Sequence, residues 1–158
     1  MIILGIDPGL NGALAFYDTQ EKMLGVIDMP TVEVTRNGKS KREVSPALVA
    51  NAIAGRGIAA AFLERVNAMP GQGVTSVFSF GRSTGILEGV LAAYDIPTTI
   101  ITPQTWQKAT QVRDGKDGSR ERAMQLFPAD ADLFARKKDD GRSDAALIAY
   151  YGSAFLKQ

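Results

Sequence analysis

The chain has 158 residues, 45% of them hydrophobic and 22% charged, and a formal net charge of +1; it is long enough for a substantial core, and no apolar run is long enough to cross a bilayer. It contains no histidine and no cysteine, which excludes disulfides, imidazole or thiolate zinc sites, Ser-His-Asp triads and histidine general bases. Any metal must be held by oxygen, which favours Mg²⁺ or Mn²⁺, and the lack of both cysteine and a basic leader fits the cytoplasm.

Ile2–Ile6 is an apolar run that ends on Asp7, and Pro8-Gly9 turns the chain at once. Ala13–Tyr17 and Met23–Met29 read as two further strands, which short turns join to the first as an antiparallel meander. Pro30–Val44 is polar, with Arg36, Lys39, Lys41 and Arg42 around Asn37-Gly38, and reads as a mobile loop. Ser45-Pro46 supplies an N-cap and a pre-set first residue for a helix to about Ala54. Ile58–Leu63 repeats the opening pattern, an apolar run closed by an acid, Glu64. After a loop over Asn67–Gly73, Val74–Tyr94 reads as a helix with Gly81, Gly85 and Gly89 at intervals of four. Close packing of that stripe on the sheet is one expectation, and packing across a dimer axis is the other. Phe78 and Phe80 fit either a core or an interface.

Ile96–Ile101 is the next strand, and Thr102-Pro103 starts another helix. Trp106 lies on it and is expected to pack rather than to stack on a base. Asp114–Gly118 is a polar break, and Ser119 is expected to cap a helix that runs to Phe127-Pro128. A short helix over Asp130–Ala135, a charged loop over Arg136–Arg142 and a final helix over Ser143–Leu156 complete the chain. The order predicts an α/β fold: a mixed five-stranded sheet, three antiparallel strands first and then parallel ones, flanked by helices. Residues 1–158 are expected to form a single domain.

Sites in such sheets form at the carboxyl ends of parallel strands, where Asp7 and Glu64 both fall. Asp140 and Asp144 are four residues apart and share a face if both are helical. Each acid has a plainer reading: Glu64 as a solvated strand end, Asp140 as a helix cap, Asp144 as a partner of the helix dipole. Asp7 is the hardest to dismiss, because a buried acid needs a partner. An Asp-Pro-Gly turn also suits an ATP-binding hairpin, but that reading needs a second domain and a second phosphate loop.

Three segments, Gly5-Ile6-Asp7-Pro8-Gly9, Phe62-Leu63-Glu64-Arg65-Val66 and Gly141-Arg142-Ser143-Asp144-Ala145-Ala146-Leu147, carry a resemblance to the RuvC-type Holliday junction resolvases. The resemblance spans nearly the whole chain and implies an RNase H-like fold. It implies a homodimer that binds four-way DNA junctions. It also implies Mg²⁺-dependent paired nicks with 5′-phosphate and 3′-hydroxyl ends, two ions per active site, and Mn²⁺ able to substitute. Asp7, Glu64 and Asp144 match three of the family's four catalytic and metal-binding acids. The fourth is usually three residues before the last, where this chain has Gly141; Asp140, with Asp139 beside it, is the nearest candidate.

The resemblance places basic residues near the scissile phosphate, and Lys108, Lys116, Arg120 and Arg142 are the expected DNA contacts. The family's bulky residue at the junction centre is missing, since Asn67 and Ala68 occupy that region. Met69 or Gly71–Gly73 are the candidates to replace it. A branch-migration motor is compatible with the resemblance, but no motif encodes it. Two alternatives keep parts of the reading: a related nuclease acting on other branched DNA or on RNA-containing substrates, and a non-catalytic branched-DNA-binding protein.

Overall fold

A computed structural model describes residues 1–68 and 71–156. Seven strands run Ile2–Asp7 (β1), Ala13–Asp18 (β2), Met23–Asp28 (β3), Thr31–Arg36 (β4), Lys39–Val44 (β5), Ile58–Glu64 (β6) and Thr98–Ile101 (β7). Five α-helices run Pro46–Ile53 (α1), Val74–Ala93 (α2), Pro103–Thr110 (α3), Gly118–Leu126 (α4) and Asp140–Phe155 (α5). The main sheet has the order β3-β2-β1-β6-β7. β1–β2 and β2–β3 are antiparallel, while β1–β6 and β6–β7 are parallel. This is the sheet expected from the apolar runs. Among the described residues no helix is long and apolar enough to cross a membrane.

The sheet is covered on both faces, because its central strands are apolar on both. One face carries Ile3, Ala15 and Phe62 against Trp106, Ala123, Phe127 and the Ala145–Ala149 run of α5. The other carries Leu4, Ile6, Leu14 and Leu63 against Val49 and Ile53 of α1 and Leu87 and Leu91 of α2. Burying each large side chain is worth roughly 1.5–3 kcal/mol. α5 lies directly on β1: a methyl group at Gly5 would stand 2.2 Å from the Ala145 carbonyl oxygen. Only glycine at position 5 permits that approach of the α5 backbone, and the small side chains that follow Asp144 suit a helix packed this tightly on the sheet.

Four local expectations are corrected. Residues 31–44 form an antiparallel hairpin, β4–β5, with Arg36 opposite Lys39 around Asn37-Gly38, both at positive φ. A polar hairpin lacks the apolar alternation that marks a half-buried strand, so only its turn was visible. α4 begins at Gly118 with Asp117 at the N-cap, so Ser119 does not cap it. Residues 128–134 and 137–139 form two 3-10 turns. α5 begins at Asp140, three residues earlier than the expected Ser143, and both Asp140 and Asp144 lie on it.

Candidate functional site

β1 and β6 are adjacent and parallel, so their carboxyl ends deliver Asp7 and Glu64 to one edge of the sheet. α5 brings Asp144 to the same edge from above. Asp7, Glu64 and Asp140 each act electrostatically on Asp144, and Asp7 acts on Glu64, so the four expected acids lie around one end of the sheet. A cleft of about 910 Å³ opens here, lined by Asp7, Asp140, Gly141 and Asp144 among others.

Each acid is held by a different device. The Asp7 carboxylate accepts the Gly9 backbone N–H at 3.1 Å, yet burial still raises its pKa. Glu64 accepts the indole N–H of Trp106 at 2.9 Å. Burial, reinforced by the charge of Asp7 and opposed by that hydrogen bond, pushes Glu64 up to about 7. Asp144 is pushed up to about 7 by burial first and by Asp7, Glu64 and Asp140 after it, while the Ser119 hydroxyl works the other way. Its Oδ1 is buried without a hydrogen-bond partner. No cation stands among the causes for Asp7, Glu64 or Asp144. Among the described residues none of these three carboxylates makes an ion pair, although Arg42, Arg136, Lys137 and Lys138 line the same cleft.

Asp140 differs. Its side chain is 59% exposed and pairs with Arg120 at 3.1 Å. Asp139, the neighbouring candidate, is buried and turned inward. It accepts from the Arg136 backbone N–H at 2.9 Å and side chain at 2.8 Å, which hold its carboxyl below the usual range. Gly141, at the position where the resemblance expects an acid, has no room for one. A methyl group there would stand 2.3 Å from the Asn11 carbonyl oxygen and 3.0 Å from Asp7 Oδ2. The glycine lets the first turn of α5 seat directly on the turn that follows Asp7.

Of the four expected DNA contacts, Lys108 and Lys116 are exposed. Arg120 is buried; it bonds Asp117, Asp140 and the Ala135 carbonyl. Arg142 makes a two-pronged pair with Asp28 at 2.6 and 2.9 Å, tying α5 to the end of β3. Both guanidinium groups are committed within the chain, each to a carboxylate at an element end. Sequence reasoning missed Trp106 and Ser119 as supports of the site. Trp106 packs as expected, fully buried, and its one polar atom reaches Glu64. Its place one turn into the helix after β7 was the available signal, since a buried indole N–H needs an acceptor. Met69 lies outside the described residues.

The donor set fits a hard divalent cation: carboxylate oxygens only, one of them, Asp144 Oδ1, buried and unpartnered. Among the described residues no three acids converge tightly enough to enclose an ion by themselves, so substrate oxygens or waters would complete the coordination, as is usual for Mg²⁺.

No family model and no curated protein sequence matches the chain. Solved structures do. T. thermophilus RuvC in complex with a Holliday junction substrate aligns over 99% of this chain and 96% of that one, with TM-score 0.68 and 13% identity. A second Thermus thermophilus RuvC structure aligns over the same shares with TM-score 0.61 and 14% identity. The Fowlpox virus resolvase in complex with Holliday junction DNA aligns over 100% of both chains with TM-score 0.57 and 15% identity. The chain therefore has the RNase H-like fold that these resolvases share.

Proposed function

We propose that the protein is a structure-selective endonuclease that resolves four-way DNA junctions by paired nicks, leaving 5′-phosphate and 3′-hydroxyl ends. The observation that carries this reading is the grouping of Asp7, Glu64 and Asp144 at the carboxyl ends of β1 and β6, none of them in an ion pair with the described residues and Asp144 with an unpartnered buried oxygen. The RNase H-like fold, shared with resolvases bound to junction DNA, supports it. Mg²⁺ held by Asp7, Glu64 and Asp144, with Asp140 at the margin, would activate the attacking water and stabilise the leaving 3′ oxygen. The chain's own residues set up that site. The Gly9 N–H fixes Asp7, Trp106 fixes one oxygen of Glu64 and leaves the other available, and Ser119 turns Asp144. Lys108 and Lys116 supply phosphate contacts, and Arg120 orients Asp140 through their pair at 3.1 Å.

The test is cleavage in Mg²⁺ of a synthetic four-way junction, with linear duplex, flap and RNA–DNA hybrid as competitors. The junction is expected to be cut in two opposed strands and the others far more slowly. Equal cutting of all four would overturn junction selectivity, and preference for the hybrid would favour an RNA-directed nuclease.

Resolution by paired nicks needs two active sites, hence two copies. The glycine stripe of α2 supports a homodimer. Ser83, Leu87 and Leu91 are the buried face of this helix. A methyl group at Gly81, Gly85 or Gly89 would meet nothing within 4 Å. The stripe therefore does not pack on the sheet; it lies open, with Phe78 also exposed at 72%. Gly85→Leu is expected to leave the monomer folded, or slightly firmer by the roughly 1 kcal/mol that glycine costs in a helix, while blocking close approach of a second copy. Sedimentation should show the mass fall from two chains to one; an unchanged dimer would remove the stripe from the interface.

A further inference from the structure

The β4–β5 hairpin stands off the main sheet and leans on the first half of α2. Between them runs a groove of about 590 Å³, continued by a second of about 510 Å³. Arg36, Lys39, Lys41, Arg42 and Arg82 line the first against a single acid, Glu43. Glu43 is already neutralised, by Arg82 at 2.6 Å and Arg36 at 3.5 Å. Lys39 and Lys41 are exposed and make no ion pair with the described residues. The groove is thus a strongly positive surface in a chain whose net charge is only +1.

Its position matters as much as its charge. Arg42 and Leu10 line this groove, its continuation and the acid cleft alike, and Phe80 lines both the cleft and the continuation. Arg42 also bonds the Leu10 carbonyl and, at 3.3 Å, the Asn11 side chain, so the hairpin is moored to the turn beside Asp7. The hydroxyls of Thr75 and Ser79 line the α2 side, where they can donate to phosphate oxygens as such groups do in nucleic-acid complexes. A small anion would not need a track of this length, and the hairpin side offers an acidic peptide one apolar side chain, Val34, among four cations. A chain of regularly spaced phosphates matches both the row of cations and the continuity with the cleft.

We infer that the groove between the β4–β5 hairpin and α2 is a second binding site for the phosphodiester backbone of a nucleic-acid strand, carrying that strand past the acid cleft. This rests on the nuclease reading for the identity of the ligand. It adds a site outside the acids and apart from Lys108, Lys116, Arg120 and Arg142, and gives the basic cluster of Arg36, Lys39, Lys41 and Arg42 a defined ligand and place. Lys39 and Lys41 are its principal contacts, and Arg42 is the hinge between groove and cleft.

The experiment measures binding in EDTA, so that no cleavage intervenes, by fluorescence anisotropy over a range of salt. The probes are a labelled four-way junction, a linear duplex and a single strand. The combined variant Lys39→Ala and Lys41→Ala is compared with the unaltered chain and with Lys22→Ala, an exposed lysine in the β2–β3 turn at the opposite end of the sheet. Loss of two phosphate contacts should reduce the log–log salt slope by roughly 2 and weaken junction binding on the order of tenfold. Lys22→Ala should change neither. A loss on junction and single strand but not on duplex assigns the groove to an unpaired strand, and a loss on all three assigns it to a duplex arm; either supports the inference. Unchanged slope and affinity in the combined variant, with an unchanged Tm, would overturn the groove and leave the nuclease reading standing. Failure of the unaltered chain to bind any of the three would overturn both.

Discussion

Asp7→Asn is expected to lower cleavage of a four-way junction in Mg²⁺ by at least about a thousandfold, the scale on which preorganised electrostatic groups act. Junction binding should remain near that of the unaltered chain. The substitution keeps the shape of the side chain, and the amide oxygen can still accept the Gly9 N–H that Asp7 accepts at 3.1 Å. What it removes is the charge. Because burial raises the Asp7 pKa, that charge is a liability to the metal-free fold, and the variant should melt at the same or a higher temperature in EDTA. Lost activity with retained binding and unimpaired stability separates a metal-binding role from a structural one. Near-normal cleavage by Asp7→Asn would sink the assignment of the whole acid cluster, since Asp7 is the member on which Glu64 and Asp144 both depend electrostatically.

Stability of the metal-free protein should fall as pH rises from about 4.5 to 7, the reverse of ordinary acid denaturation. Glu64 goes from 4.5 to about 7 on folding, and Asp144 from 3.8 to about 7. Through that window the folded chain holds protons that the unfolded chain has released, so the unfolded state gains with every step up in pH. The stabilising contribution is complete below the unfolded values and gone once pH passes the folded ones. Each group accounts for roughly 3–4 kcal/mol. The paired acids Asp28 and Asp139 have lowered pKa values, so their opposite contribution is lost only as pH falls below about 4. Thermal melts in EDTA should therefore give a higher Tm at pH 5 than at pH 8. Millimolar Mg²⁺ should raise Tm at pH 8 and do little at pH 5, where protons already occupy the site. A Tm that rises steadily from pH 5 to 8 in EDTA, or a Mg²⁺ effect independent of pH, would contradict the clustering of the acids.

Much of the sheet was legible because its strands are apolar on both faces and end in turn residues. Ile2–Asp7 and Ile58–Glu64 each announce a buried strand closed by a carboxylate, while their adjacency is a product of the fold. The β4–β5 hairpin was not legible, because it buries little and so carries no period-two signal. The start of α5 was misplaced because Arg136–Arg142 is as charged as a loop, although its two arginines pair with Asp28 and Asp139.

The sequence by itself determined the mixed five-stranded sheet, antiparallel first and then parallel, and restricted any metal ligands to oxygen, since periodicity and the absence of histidine and cysteine depend on nothing beyond the chain's own order. Only the tertiary structure decided which groups support those acids. Trp106 reaches Glu64 across 42 residues, Ser119 turns from a helix cap to Asp144, and Arg120 and Arg142 bind carboxylates rather than solvent. Gly141 seats α5 against Asp7 where an acid would collide, and the glycines of α2 face outward rather than onto the sheet. These outcomes depend on which side chains fall within about 3 Å of one another, the length of a hydrogen bond. Contacts between segments distant in sequence leave no mark in local pattern; they exist only after the helices have been laid on the sheet.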